Sequence, residues 1–322
     1  MNRRYLLSRL LAALLCFSSL TAYAQQWPAR PIKVVVPYAP GGTIDIIARQ
    51  LSEELARLLG QPVVVENRAG AGGVVGTEFV ARQPADGYTV LLTTVSHTLT
   101  PTLQKLSFDA ENDFLPVIHI ADSAQVLFKH PSFPANTLGE LLEMAKKKPG
   151  ELSYAHGGNG SPANIAAELL KSMAGVNIVA IPYKGAGPVV TEVLGGHVSL
   201  GIASQPAVQA WLAAGKLVAL GVSTKRRSGS LPDVPTFAEQ GVPGYEFNTW
   251  FGFLVARGTP ADIIARLADA TDRALKKPEI RDVMSKQGAD PVGGGPETLD
   301  QLLKSEFRRW PRELKAAGIK GE

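Results

Sequence analysis

The sequence predicts a two-lobed α/β fold with mostly parallel or mixed sheets, the second lobe inserted in the first. Two observations carry this. Short β-branched apolar runs alternate with helical patterns along the chain, the signature of strand–helix–strand units packed in layers. Two thin linkers, Ala121–Gln125 and Pro243–Glu246, then divide the chain into 25–124 plus 247–322 for one lobe and 125–246 for the other. A lobe entered and left through two crossings is the layout of a hinged clamshell that closes around a ligand.

Residues 1–24 read as a cleaved signal peptide. Arg3, Arg4 and Arg9 form its positive start, Leu10–Leu20 its apolar core, and Ala22-Tyr23-Ala24 a small-x-small cleavage site. Cys16 follows Leu15, where lipidation requires a small residue, so no lipid anchor is expected. Cleavage removes three of the 33 Lys and Arg and none of the 29 Asp and Glu, which leaves 30 against 29. Near neutrality gives no reason to expect nucleic acid or an anionic membrane as partner. The single cysteine leaves with the leader, so the mature chain has neither disulfides nor thiolate metal ligands. The mature chain is expected to be soluble and exported, and to be a monomer.

Ile32–Tyr38 is the first strand. Ile44, Ile47, Leu51, Leu55, Leu58 and Leu59 then form a helical stripe that stops at Gly60. Pro62–Glu66 is a strand, Val74–Arg82 a helix, and Thr89–Thr94 a strand closed by the polar run Ser96-His97-Thr98. Phe114–Ile120 and Val126–Lys129 read as two extended crossing segments. Leu138–Lys148 is helical, Leu152–His156 a strand, Pro162–Ala174 a helix, and Val176–Tyr183 a strand. Another helix starts at Pro188–Leu194, and strands Ser199–Ala203 and Leu217–Ser223 flank a short helix at Ala207–Ala214. From Phe247 the chain is extended to Ala256. It finishes in helices Pro260–Lys277, Pro278–Gln287 and Pro296–Ala317, each with proline at its first turn.

The chemistry gathers at turns where a strand ends and a helix begins. Tyr38-Ala-Pro-Gly41-Gly42-Thr43-Ile-Asp45 leaves backbone N–H groups at a helix start, where a carboxylate can sit without a basic side chain. Asp45 falls in the first helical turn and serves mainly to organise that loop. Gly160-Ser161-Pro-Ala-Asn164 repeats the arrangement in the second lobe, so the two turns form a pair across a cleft. Tyr183-Lys184 ends a later strand, and Thr94, Ser96, His97 and Thr98 end the third. Ligands of open α/β sheets collect at such carboxyl ends. Gly70-x-Gly72-Gly73-x-x-Gly76 lacks dinucleotide-loop spacing and is a turn. The five histidines are scattered, with no metal-ligand spacing, and no cofactor is expected. Ser161 lies outside any G-x-S-x-G order, which leaves an exported serine hydrolase as a minor alternative.

The chain resembles the periplasmic solute receptors of tripartite tricarboxylate transporters, the Bug proteins. The likeness runs from Trp27 (WPARPI) through Val36–Arg49 (VPYAPGGTIDIIAR), Leu59–Arg68 (LGQPVVVENR), Gly70–Gly73 and Ala85–Thr89. It continues at Ile181–Gly185 (IPYKG), Leu194–Val198, Leu231–Thr236 (LPDVPT), Trp250–Gly252 and Gly258–Pro260. The resemblance implies a type II-like Venus-flytrap binding fold without enzymatic activity, taking small carboxylates and serving membrane permease subunits or a sensor domain. One ligand carboxylate would fall to Gly41, Gly42 and Thr43 on one side and to Gly160, Ser161 and Asn164 on the other. The distal end would meet Thr94, Ser96, Thr98, Tyr183, Lys184, Ser204 and Gln205. Two segments depart from the family pattern: Ser96-His-Thr-Leu-Thr100, where many relatives carry an Ala-Ile-Asn type sequence, and Ser204-Gln205, which lacks an acidic residue some relatives have.

Overall fold

The computed structural model describes residues 27–319; the leader and Cys16 lie outside them. The chain runs β1 (Ile32–Val36), α1 (Thr43–Leu59), β2 (Val63–Asn67), α2 (Val74–Ala81), β3 (Thr89–Thr94), α3 (Ser96–Leu103) and β4 (Phe114–Lys129). It continues as α4 (Leu138–Lys147), β5 (Ser153–His156), α5 (Pro162–Ala174), β6 (Val179–Pro182), α6 (Ala186–Leu194), β7 (Leu200–Ser204), α7 (Gln205–Ala213) and β8 (Val218–Val222). It ends with β9 (Asn248–Ala256), α8 (Ala261–Leu275), α9 (Pro278–Lys286), β10 (Asp290–Pro291) and α10 (Pro296–Ala316).

Local chemistry places these elements. In α1 the buried side chains Ile44, Ile47, Leu51, Leu55 and Leu59 recur at helical spacing. Thr137 caps α4 by accepting the Glu140 amide, and Ser161 caps α5 with Pro162 at its first position.

The strands form one sheet in the order β2-β1-β3-β9-β4-β7-β5-β6, with β8 and β10 also paired to β4. Both ends are parallel, as the alternating strand–helix pattern requires. The middle is antiparallel, because β9 returns between β3 and β4, and β4 runs against β7 and β8. The expected mostly parallel or mixed sheet is found as a mixed one, and the parallel pairing that the strand–helix alternation suggests is corrected only in this middle. Strands buried on both faces read as continuous apolar runs, which conceal their direction.

A second correction concerns β4. The two crossing segments expected around Ala121–Gln125 are one unbroken strand. Its residues Phe114–Ala124 pair with β9, and Gln125–Lys129 pair with β7. A third correction is α3: the polar run Ser96-His97-Thr98 is the first turn of a helix that contains Pro101. Threonine and proline weaken its helical signal, while burial of Ser96, His97, Thr98 and Leu99 stabilises it.

Two apolar clusters flank the crossing. One joins Val34, Leu51, Leu92, Phe253 and Leu267 under α1 and α8. The other joins Val126, Phe128, Val189, Val193 and Val208 under α6 and α7. A third cluster, from Leu91 and Trp310 to Leu138 and Ile202, runs past the crossing on the α10 side.

Candidate ligand site

The turn from β1 to α1 is built around Asp45. Its carboxylate, 3% exposed, accepts the Gly41 amide at 2.9 Å, Arg49 Nε at 3.0 Å and Asn67 Nδ2 at 2.9 Å. Burial pushes this carboxyl up. The bonds from Arg49, Gly41 and Asn67 outweigh it, so the group ends below the ordinary range and stays ionised. No side chain caps the start of α1, which leaves its first-turn amides directed at the turn. Asp45 therefore shapes the Gly41–Thr43 segment from behind.

The turn from β5 to α5 is ordered in a similar way. Gly160 donates its amide to Asn164 Oδ1 at 3.1 Å, and Ser161 Oγ accepts the Asn164 amide at 3.2 Å. His156 Nδ1 lies 3.1 Å from the Gly158 carbonyl oxygen, and burial lowers the imidazole's proton affinity. The β6–α6 turn lies directly against this one. Gly185 donates to the Gly157 carbonyl at 3.3 Å, and a Cβ on Gly157 would come within 3.4 Å of the Gly185 backbone. Tyr183 points its hydroxyl at Glu192 Oε2, 3.4 Å away, and Lys184 is exposed.

The two strand groups meet through these turns. Thr43 Oγ1 lies 2.9 Å from Ser204 Oγ, joining the β1–α1 turn to the β7–α7 turn. A Cβ on Gly160 would lie 3.7 Å from Leu103 at the end of α3.

Other predicted residues are placed elsewhere. Tyr38, Ser96 and His97 line a small recess of about 10 Å³, the size of one water. Burial pushes the Tyr38 phenol up to about 12, against a lowering hydrogen bond to Ser96. His97 Nε2 donates to the Ala110 carbonyl at 2.8 Å, and its ring packs edge-on to Phe114. Thr98 donates to the Val95 carbonyl and to buried Glu306. Gln205 is wholly buried and donates to Gln209 and Ser230. Thr94 ends β3 with a buried hydroxyl that has no partner among the described residues.

Sequence reasoning missed Asn67 and Arg49 as the residues that hold Asp45. Arg49 carried a signal, since it lies one helical turn after Asp45. Asn67 carried none, because only the β1–β2 pairing brings it there.

A profile of the family described as "Tripartite tricarboxylate transporter family receptor" matches residues 47–319. The chain is 38% identical over 300 residues to Protein BugT of Bordetella pertussis, an alignment covering 92% of each. A solved R. palustris protein with adipate superposes at a TM-score of 0.87 with 36% identity, covering 92% of this chain and all of the other. MatC from Rhodopseudomonas palustris, with bound malate, superposes at 0.83 with 32% identity, covering 89% of this chain and all of the other.

Proposed function

Because the chain belongs to the tripartite tricarboxylate transporter family of receptors, we propose that it is an exported, non-catalytic receptor for a small organic carboxylate. The ligand sits between lobes 25–124 plus 247–322 and 125–246, and the loaded receptor hands it to membrane permease subunits. The observation that carries this reading is the 2.9 Å contact between Thr43 and Ser204, which joins two helix-start turns from the two strand groups. Between such turns an anion is held by amides and hydroxyls, whose bonds to charge are stronger than neutral ones.

Gly41, Gly42 and Thr43 take one carboxylate, with Ser161 and Asn164 closing on it from the other lobe. Adipate and malate, carried by two similar proteins, each have two carboxylates. A dicarboxylate is therefore the ligand class proposed here, its second group lying toward Ser204, Tyr183 and exposed Lys184. Ser96, His97, Thr98 and Gln205 support the site from within the core. Ser161 Oγ serves as a helix cap and His156 Nδ1 is committed to Gly158, which favours a receptor over a hydrolase.

Calorimetric titration of the mature protein with adipate and malate tests this. At least one should bind. Thr43→Ala and Ser161→Ala should each weaken it by about 1–2 kcal/mol, roughly 5- to 30-fold. Unchanged affinity in both variants overturns the pocket assignment.

A further inference from the structure

The paired strands β4 and β9 reach the boundary between the two strand groups side by side, with Ala124 opposite Asn248 and Ser123 opposite Thr249, and β4 continues across it. Side chains alternate along a strand, so these residues face opposite sides. Ser123, Gln125 and Thr249 share one face with Ser204, which stands opposite Gln125 on β7. The two strand groups touch on that face. Besides the Thr43–Ser204 contact, Gln205 lies against Gly288, where a Cβ would come within 2.4 Å of the Gln205 side chain. Ser123 donates to the Gly288 carbonyl at 2.8 Å.

Asp122, Ala124, Asn248 and Asp290 occupy the other face, with Asp122 directly opposite Asp290. There the loop after β8, Thr224–Ser228, forms the far wall of a crevice of about 240 Å³. Asp122, Asp290 and Glu246 line it together with Lys225 and Arg226, yet no ion pair joins these acids to these bases among the described residues. Asp122 is held by His119 at 2.8 Å, and Arg227 is held by Glu239 outside the crevice at 3.0 Å. Two carboxylates directly opposite each other on neighbouring strands repel, so an approaching cation is favoured.

Two bodies that pivot on a shared ribbon separate on one face as they approach on the other. We propose that the crevice is a counter-latch: opening of the Thr43–Ser204 face narrows it and brings Lys225 and Arg226 onto Asp122 and Asp290. The ion pairs formed there stabilise the open, empty receptor and so lower the affinity of the ligand site. This rests on the carboxylate-receptor reading only for its effect on affinity, since the shift in the empty protein needs no ligand.

The test uses the mature chain and the double variant Lys225→Ala/Arg226→Ala, whose two side chains are exposed. Spin labels on α1 and α5 report the separation across the ligand face by pulsed electron resonance. Without ligand, the variant should show a larger closed fraction than the parent. Raising salt should close the parent and leave the variant unchanged, because screening weakens exposed ion pairs. Asp290→Asn should act in the same direction and add little to the double variant. With adipate, the double variant should bind roughly fivefold tighter or more. Identical ligand-free distance distributions in parent and double variant overturn the counter-latch, whatever the titration shows. If neither protein binds any dicarboxylate but the distances shift, the counter-latch stands and the receptor assignment falls.

Discussion

Burial keeps His97 neutral. Its Nε2 donates to the Ala110 carbonyl, so the proton sits on that nitrogen, and Nδ1 is enclosed without a partner among the described residues. Burial pushes the imidazole down to about 4, against a small upward pull from Ala110. The unfolded chain binds a proton near the ordinary value of 6.5 while the folded chain does not. Stability is therefore complete above about pH 6.5 and lost as pH falls toward 4, by up to about 3 kcal/mol. Asp45, held below the ordinary carboxylate range, adds its own loss at still lower pH. Thermal melts from pH 7 to 4 should show the first loss in the parent and a flatter profile in His97→Gln; parallel profiles would exclude His97 as the cause. At this scale the sequence displays helix caps such as Ser161 and turn residues such as Gly41, because their partners are close along the chain. The core bonds of His97 and Thr98 are not legible in the sequence, because adjacency to a strand end does not reveal which way a helix turns its first residues.

Among the elements, α10 braces α3 and β9. Its Glu306 accepts Thr98 of α3 at 2.7 Å and Trp250 Nε1 of β9 at 2.6 Å, tying three elements to one buried carboxyl. Burial raises the affinity of this group for a proton, and the bonds from Thr98 and Trp250 oppose that rise. Gly252 of β9 lies against Leu299 of the same helix. Glu306→Ala leaves the buried Trp250 indole N–H without its acceptor and Thr98 with only the Val95 carbonyl, and should cost about 2–3 kcal/mol, whereas Glu306→Gln keeps an acceptor and should cost about 1 kcal/mol. Urea denaturation of both variants decides this, and equal losses would refute the bracing role. Regular elements such as α1 and α5 were legible because their apolar stripes and caps are local. The brace was not, because Thr98 and Glu306 are 208 residues apart and a glutamate in an amphipathic helix reads as solvated.

For the whole molecule, the α/β class and its units were legible from the alternation of runs, and the antiparallel middle was not. The joining of β4 into one strand was also hidden, since Asp122 and Ser123 interrupt its apolar run with polar residues that read as a linker. Those residues serve the crossing itself: both border the crevice, and the Ser123 hydroxyl also bonds Gly288. An unbroken hydrogen-bonded ribbon behaves as an elastic leaf. Bending it stores energy reversibly, breaks no ladder bond and requires no peptide to reorganise. The motion across it should belong to the microsecond-to-millisecond regime of hinge movements and not to the slower one of local unfolding. Relaxation-dispersion measurements on methyl groups flanking Ala124 should find exchange in that window, while amide hydrogen exchange at Ser123–Gln125 stays as slow as in the core. Rapid amide exchange there would mean that the leaf melts each time it flexes. An intact leaf makes capture quick, and the lifetime of the bound state becomes the quantity that differs from one ligand to the next.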